Sequence, residues 1–252
     1  MKRFWFLSFL LVFIIFTSTA EAQKRRVPKK SVVAQKSAAN VNTAIVVDER
    51  LAVLRVEPSL YAKAVQRMRL GRVVQISGSK QADGITFYRV MALPNNFGWV
   101  QSEAVAAKNR AGDDGRMAKL VQAFDGFEQI ECATLFLETF NDSPLRPAIQ
   151  LLLGDLTEEI ALKLSAEATR RLSRREMTAS GAPLHSFYLN YVSLDRYRRL
   201  GINFLFNSST KLFHYNGASW KEIIAKFPKS AEAAEAQKRL DALKEKMEKT
   251  EK

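Results

Sequence analysis

The side chains best suited to chemistry in this sequence are one thiol, two imidazoles and a scatter of carboxylates. Cys132 stands in Glu131-Cys132-Ala133-Thr134-Leu135. A nucleophilic thiol needs a base in reach and an electropositive, partly exposed setting. The local sequence supplies neither, and the apolar spacing around Cys132 predicts a buried helical residue. His185 (Pro183-Leu184-His185-Ser186) and His214 (Phe213-His214-Tyr215) have no second ligand one helical turn away, and no HExxH occurs, which disfavours a zinc hydrolase. There is no phosphate-binding loop of Walker type and no dinucleotide fingerprint, and Ser180-Gly181 lacks the flanking glycine of a nucleophile elbow. The adjacent pairs Asp113-Asp114 and Glu158-Glu159 read as a solvated loop and as a helix start whose dipole they complement, not as a catalytic dyad. If the chain is catalytic, carboxylates such as Glu131 or Glu138 would have to face a cleft. No metal and no cofactor is expected. The other chemistry open to this chain is recognition by aromatic surface. Tyr61, Tyr88 and Trp99 lie beside turns, where a ring can present flat apolar area with a polar tip. The competing reading is that Trp99, with Phe87, fills a small core.

The elements that would position those rings are short strands. Val73-Val74-Gln75-Ile76, Thr86-Phe87-Tyr88-Arg89-Val90 and Trp99-Val100 are β-branched and aromatic runs. They are separated by turn signals at Glu57-Pro58-Ser59, Gly71, Gly78-Ser79, Asp83-Gly84 and Pro94-Asn95-Asn96. Such runs at roughly ten-residue spacing predict a small barrel or sandwich over 43–106.

Four segments of this region carry a resemblance. Ala52-Val53-Leu54-Arg55-Val56-Glu57-Pro58-Ser59, Val65 through Gly71, Phe87-Tyr88-Arg89-Val90 and Phe97-Gly98-Trp99-Val100 are similar, in order and spacing, to bacterial SH3-like (SH3b) domains. Glu57 stands where that family usually has Gly, and Phe87 where it usually has Trp. The resemblance implies an SH3-like barrel that binds peptidoglycan or peptide in the cell envelope, for which Tyr61, Tyr88 and Trp99 are the candidate ligand-binding rings. SH3-like modules often accompany cysteine–histidine peptidoglycan endopeptidases, whose motifs are not visible in this chain.

Residues 107–115 read as a linker, and 116–252 as helical. Met117, Leu120, Val121, Phe124, Phe127 and Ile130 form one apolar stripe at spacings of three and four. Asn141-Asp142-Ser143-Pro144 breaks the pattern, and Pro147 suits a first helical turn. Asp155-Leu156-Thr157-Glu158 has the spacing of a capping box and predicts another helix start. Residues 201–217 predict a short hairpin or loop, with Asn216-Gly217 as a turn candidate. Trp220 through Phe227 and Ala236 through Met247 predict a final helix pair. With Phe227-Pro228-Lys229-Ser230 at the turn, this pair resembles a tetratricopeptide (TPR-like) unit, which implies a stack of pairs. The fold class expected is therefore α+β with two domains, a small SH3-like β-barrel followed by an all-α TPR-like domain.

The start of the chain supplies an address. Lys2 and Arg3 precede an apolar run from Phe4 to Phe16, and Ala20-Glu21-Ala22 offers small residues for cleavage. This is the layout of a secretory signal peptide over 1–22, cleaved after Ala22. An uncleaved amino-terminal anchor is the other reading. No further membrane span is expected, and the mature protein is expected to be periplasmic or secreted.

Charge follows the same division. The whole chain carries 39 basic and 26 acidic side chains, +13. Without 1–22 it carries 37 against 25, +12, and the segment 23–42 alone contributes +6 with no acid. That segment reads as a basic flexible linker or as a tail for anionic lipid or wall polymer. Export argues against nucleic acid as its partner. The function expected is an exported, non-catalytic envelope adaptor, whose barrel binds wall peptide or glycan and whose helices dock a protein. The alternative is a cell-wall hydrolase or its direct activator.

Overall fold

Asp83-Gly84 makes the sharpest local decision in the sheet region. Both residues have positive φ, 52° and 75°, the backbone of a two-residue hairpin turn whose twist matches its strands. The turn joins β4 (Val73–Ala82) to β5 (Ile85–Ala92), and β6 (Asn96–Gln101) extends the meander. Flanking these are β1 (Thr43–Val46), β2 (Val53–Arg55), β3 (Ala64–Arg67) and the short β7 (Val105–Ala106). The strands form one curled antiparallel sheet in the order β3-β2-β6-β5-β4-β1-β7. A 3-10 turn at Ser102–Ala104 separates β6 from β7. The register of β4 on β5 shifts between Ile76 and Gly78, and such an irregularity bends a strand and tightens its twist. The computed structural model describes residues 43–92 and 94–248. The expected signal peptide (1–22) and basic linker (23–42) lie outside the described residues.

Alternation along β1 explains how the sheet meets the helices. Ala44 and Val46 point into the sheet's own core with Leu54, Met68, Val74, Val90 and Val100. Ile45 and Val47 point the other way, into a second core shared with Ala106, Met117, Val121 and Ile130. A strand buried on both faces reads as a continuous apolar run, as Ala44-Ile45-Val46-Val47 does. All described residues fall in one compact unit, and removing 43–106 would strip these side chains from the helical core.

The segment expected as a linker carries structure. Asp113 opens α1 (Asp113–Ala123) and is buried, which corrects its reading as part of a solvated loop. Its carboxylate accepts from the Ala107 amide at 2.8 Å, Arg110 Nε at 2.7 Å and Arg116 Nη2 at 3.3 Å. Arg110 in turn donates to the Val105 carbonyl at 2.9 Å and the Tyr88 hydroxyl at 2.8 Å.

The helical half holds α2 (Gly126–Thr139), α3 (Arg146–Arg171), α4 (Arg174–Ser180), α5 (Leu184–Leu189), α6 (Asp195–Arg198), α7 (Ala218–Lys226) and α8 (Ala231–Glu248). The apolar stripe from Met117 to Ile130 is divided, because Phe124 and Asp125 are extended and Gly126 has φ 54°. Pro147 lies in the first turn of α3 as expected, but Asp155–Glu158 sits in the middle of that helix. The apparent capping box is not a helix start, since α3 runs unbroken through it, Gly154 included. Residues 201–217 do form a hairpin, β8 (Phe204–Asn207) with β9 (Leu212–Tyr215). Its turn is held by Asn207 Oδ1, which accepts from the Ser209 and Thr210 amides, and Lys211 takes φ 60°. Asn216-Gly217 instead leads into α7, with Gly217 at φ 73° as the helix cap. α3 packs on β9 and on α7, and α7 packs on α8. Among the described residues no helix is long and apolar enough to cross a membrane.

Candidate functional site

Strand register sorts the three aromatic candidates. Tyr88 lies opposite Val100, and Trp99 lies opposite Arg89 and Arg55. Val100 is in the sheet core, so Tyr88 faces inward and packs against it, whereas Trp99, one residue along, faces outward. The Tyr88 hydroxyl accepts from Arg110, whose guanidinium also lies 5.4 Å from the ring centre. Trp99 is half-buried, and Phe87 is fully buried. Arg55 shares the outer face with Trp99 and reaches the Ala62 carbonyl at 2.7 Å. Its bond draws the 57–62 loop toward that face.

Tyr61 stands on this loop and is 90% exposed. The loop itself is pinned. Asp83, at the hairpin turn, accepts from Ser59 Oγ and from the Leu60 amide, both at 2.7 Å, and Ser59 Oγ accepts from the Tyr61 amide at 3.2 Å. These bonds hold the Asp83 carboxyl below its usual range, Ser59 first and Leu60 second. Phe97, 60% exposed, lies on the same outer face as Trp99. Phe97 and Trp99, with Arg55 and Arg89, thus share one outer sheet face; Tyr61 stands on a loop tied to that face through Arg55, and Tyr88 lies on the opposite face. Sequence reasoning misses Arg55 and Asp83 because their roles depend on partners 7 and 24 residues away. The one signal for Arg55 is its alternation with the buried Leu54.

Glu131 lines a cleft of about 460 Å³ between the β1–β2 segment and the α1–α2 junction. Asp48, Glu49, Arg50, Asp125 and Glu128 line it too. Burial raises the Glu131 carboxyl above its usual range, and the negative charges of Glu49 and Glu128 add to this. Asp48 is moved the opposite way, chiefly by Arg50, which donates to both of its oxygens at 2.9 and 2.8 Å. Glu138 is exposed and does not line the cleft. Cys132, next to Glu131, is fully buried, and burial with the Glu131 charge pushes its thiol up to about 12. A thiol in that state has almost no thiolate at neutral pH.

The residue pair least legible in the sequence is Glu158 with His214. His214, 2% exposed, has Nδ1 2.9 Å from Glu158 Oε1, and Lys246 Nζ donates to the same oxygen at 2.7 Å. Glu158 Oε2 accepts from the Tyr215 amide at 2.8 Å. Burial alone would raise the Glu158 carboxyl. The bonds from His214, Lys246 and Tyr215 outweigh it and hold the group at about 2. Glu158 therefore ties α3 to β9 and α8. His185 is exposed on α5, far in the chain from this cluster. Among the described residues no group of three or more His, Cys, Asp or Glu could hold a metal ion.

No family model, curated protein or solved structure matches this chain. The geometry of its own residues therefore carries the functional reading.

Proposed function

We propose that the protein is an exported, non-catalytic adaptor of the cell envelope, periplasmic or secreted, whose sheet is an SH3-like barrel that binds wall peptide or glycan. The observation that carries this reading is Tyr61, almost wholly exposed on a loop that Asp83 and Arg55 hold rigid. A large ring kept in water by a pinned loop loses little further freedom when it meets a ligand. Phe97 and Trp99 on the adjoining sheet face supply stacking area, and Arg55 and Arg89 supply donors for carboxylate or carbonyl groups of a peptide. The strand order, with the β4–β6 meander flanked by β1 and β2 and a 3-10 turn before the last strand, supports the SH3-like reading. The TPR-like reading rests on α7 and α8, which pack together across Phe227-Pro228-Lys229-Ser230 and would offer a docking face for a protein partner. α3 adjoins a hairpin on one side, so the docking surface is confined to that pair.

Tyr61→Ala and Trp99→Ala test the reading better than removal of the barrel, which would open the shared core. In co-sedimentation with purified peptidoglycan each is expected to weaken binding roughly tenfold, the cost of truncating an aromatic anchor. Retention of both variants at the wild-type level would sink it.

The cleft around Glu131 favours a second reading, a wall hydrolase or its activator. A carboxyl raised by burial beside one lowered by an arginine is the arrangement of an acid and a base set apart by environment. On this reading Glu131→Gln abolishes clearing in a zymogram of wall material. A wild-type chain that leaves no clearing zone removes the hydrolase.

A further inference from the structure

The positive charge of the described chain is concentrated. Residues 170–199 hold seven Arg against Glu176 and Asp195, +5, out of +6 for 43–252. α3 ends in Arg170 and Arg171, and α4 begins with Arg174 and Arg175 after Ser173, which caps it by accepting from the Glu176 amide. Arg196 and Arg198 lie on α6, with Arg199 next to it. All seven are exposed. The end of α3 and the α6 region meet in space. Thr169 Oγ1 lies 3.2 Å from the Tyr188 hydroxyl, the Arg198 guanidinium donates to the Leu189 carbonyl, and Glu167 of α3 lines a hollow of about 380 Å³ together with Val192, Arg196 and Arg199. Arg171 is bonded to that same Glu167 at 3.1 Å.

A bare cluster of like charges repels itself, and little within the molecule neutralises this one. The guanidiniums of Arg170, Arg174, Arg175 and Arg199 make no hydrogen bond or ion pair among the described residues. Beside the hollow Val192 is 69% exposed. Of the aromatics nearby, Tyr188, Tyr191 and Tyr197 are buried, and the half-buried Phe127 is covered by the Arg196 guanidinium, 4.9 Å from its ring centre. A surface for single-stranded nucleic acid pairs its basic groove with exposed rings on which bases stack, and this surface offers an aliphatic tip instead. We propose that it docks on an anionic lipid bilayer, the guanidiniums pairing with lipid phosphates and Val192 entering the interfacial layer. The proposal concerns a face other than the aromatic one and holds whether or not that face binds wall material.

The test uses the full chain and vesicles of phosphatidylcholine with and without phosphatidylglycerol. Binding to the anionic vesicles is expected, falling as salt rises. Arg174→Gln with Arg175→Gln is expected to lower partitioning about thirtyfold, at roughly fivefold for each basic residue near an anionic surface. The same drop is expected when Arg25, Arg26, Lys29 and Lys30 have already been changed to Gln. Unchanged partitioning of the double variant in both backgrounds overturns the proposal. Because Cys132 is buried, a dye placed through Val192→Cys reports on position 192 alone. Its emission should shift to the blue on anionic vesicles, and an unshifted emission from bound protein overturns the assignment of this face. Retention on a soluble phosphodiester polymer without vesicle binding overturns the lipid.

Discussion

Gly154→Ala is expected to destabilise the protein by about 2–3 kcal/mol, although Ala is the better helix former by up to about 1 kcal/mol. Gly154 lies in the middle of α3. A Cβ there would stand 2.2 Å from Trp220 Nε1, 2.6 Å from Trp220 Cε2 and 2.8 Å from Ser219 Oγ. Trp220 is 2% exposed and meets Tyr215 edge-on, with ring centres 5.4 Å apart. The indole therefore cannot withdraw without disturbing the packing of α7 on α3 and β9. Overpacking of a closed core outweighs the gain in propensity. Gly115→Ala in α1 is the matched control, since an added Cβ there meets nothing within 4 Å, and it is expected to stabilise by roughly 0.5–1 kcal/mol. Urea unfolding of both variants, followed by tryptophan fluorescence, checks the pair. Equal effects of the same sign would show that Gly154 is not a packing position.

Loss of Glu158 is the second large effect, and it depends on pH. The folded carboxyl, at about 2, lies below its ordinary 4.5. A group depressed on folding contributes stability that is fully present above the unfolded value and is lost as pH falls through the folded one. The contribution is about 3 kcal/mol, from 1.36 kcal/mol for each pH unit of difference, and it disappears between about pH 4.5 and 2. Glu158→Gln keeps the shape but removes the charge that faces His214 and Lys246. The variant should be less stable than wild type by about 3 kcal/mol at pH 7, with the gap closing toward pH 2. Parallel denaturant titrations at several pH values measure that gap. A gap that stays constant with pH would mean that packing, not charge, is what Glu158 supplies.

The difficulty of reading these two positions in the sequence has a common cause, which is that their partners are distant in the chain. Asp83-Gly84 is legible as a turn because positive φ is a local demand that few residues meet. Pro147 and the final helix are legible because chain breakers and apolar spacing act within one or two turns. Glu158 sits in a segment that matches a local capping pattern, yet its partners are 56 and 88 residues away. The pattern is satisfied without being used. Tyr88 and Trp99 look equivalent as aromatics beside turns. Their separation onto two faces comes from the pairing of β5 with β6 and from Val100 being inward.

What the sequence by itself determined is the set of local choices: strand or helix, the Asp-Gly hairpin, the doubly apolar β1 and the burial of Cys132 in its helix. It also determined the total charge. Only the tertiary structure decided where that charge acts, bringing the arginine end of α3 to the arginines of the α6 region and setting Glu158 beside His214. It also left Tyr61 in water on a loop pinned by Asp83. Burial and ion pairing depend on distance through space, and residues far apart in the chain acquire that distance only when the strands and helices pack.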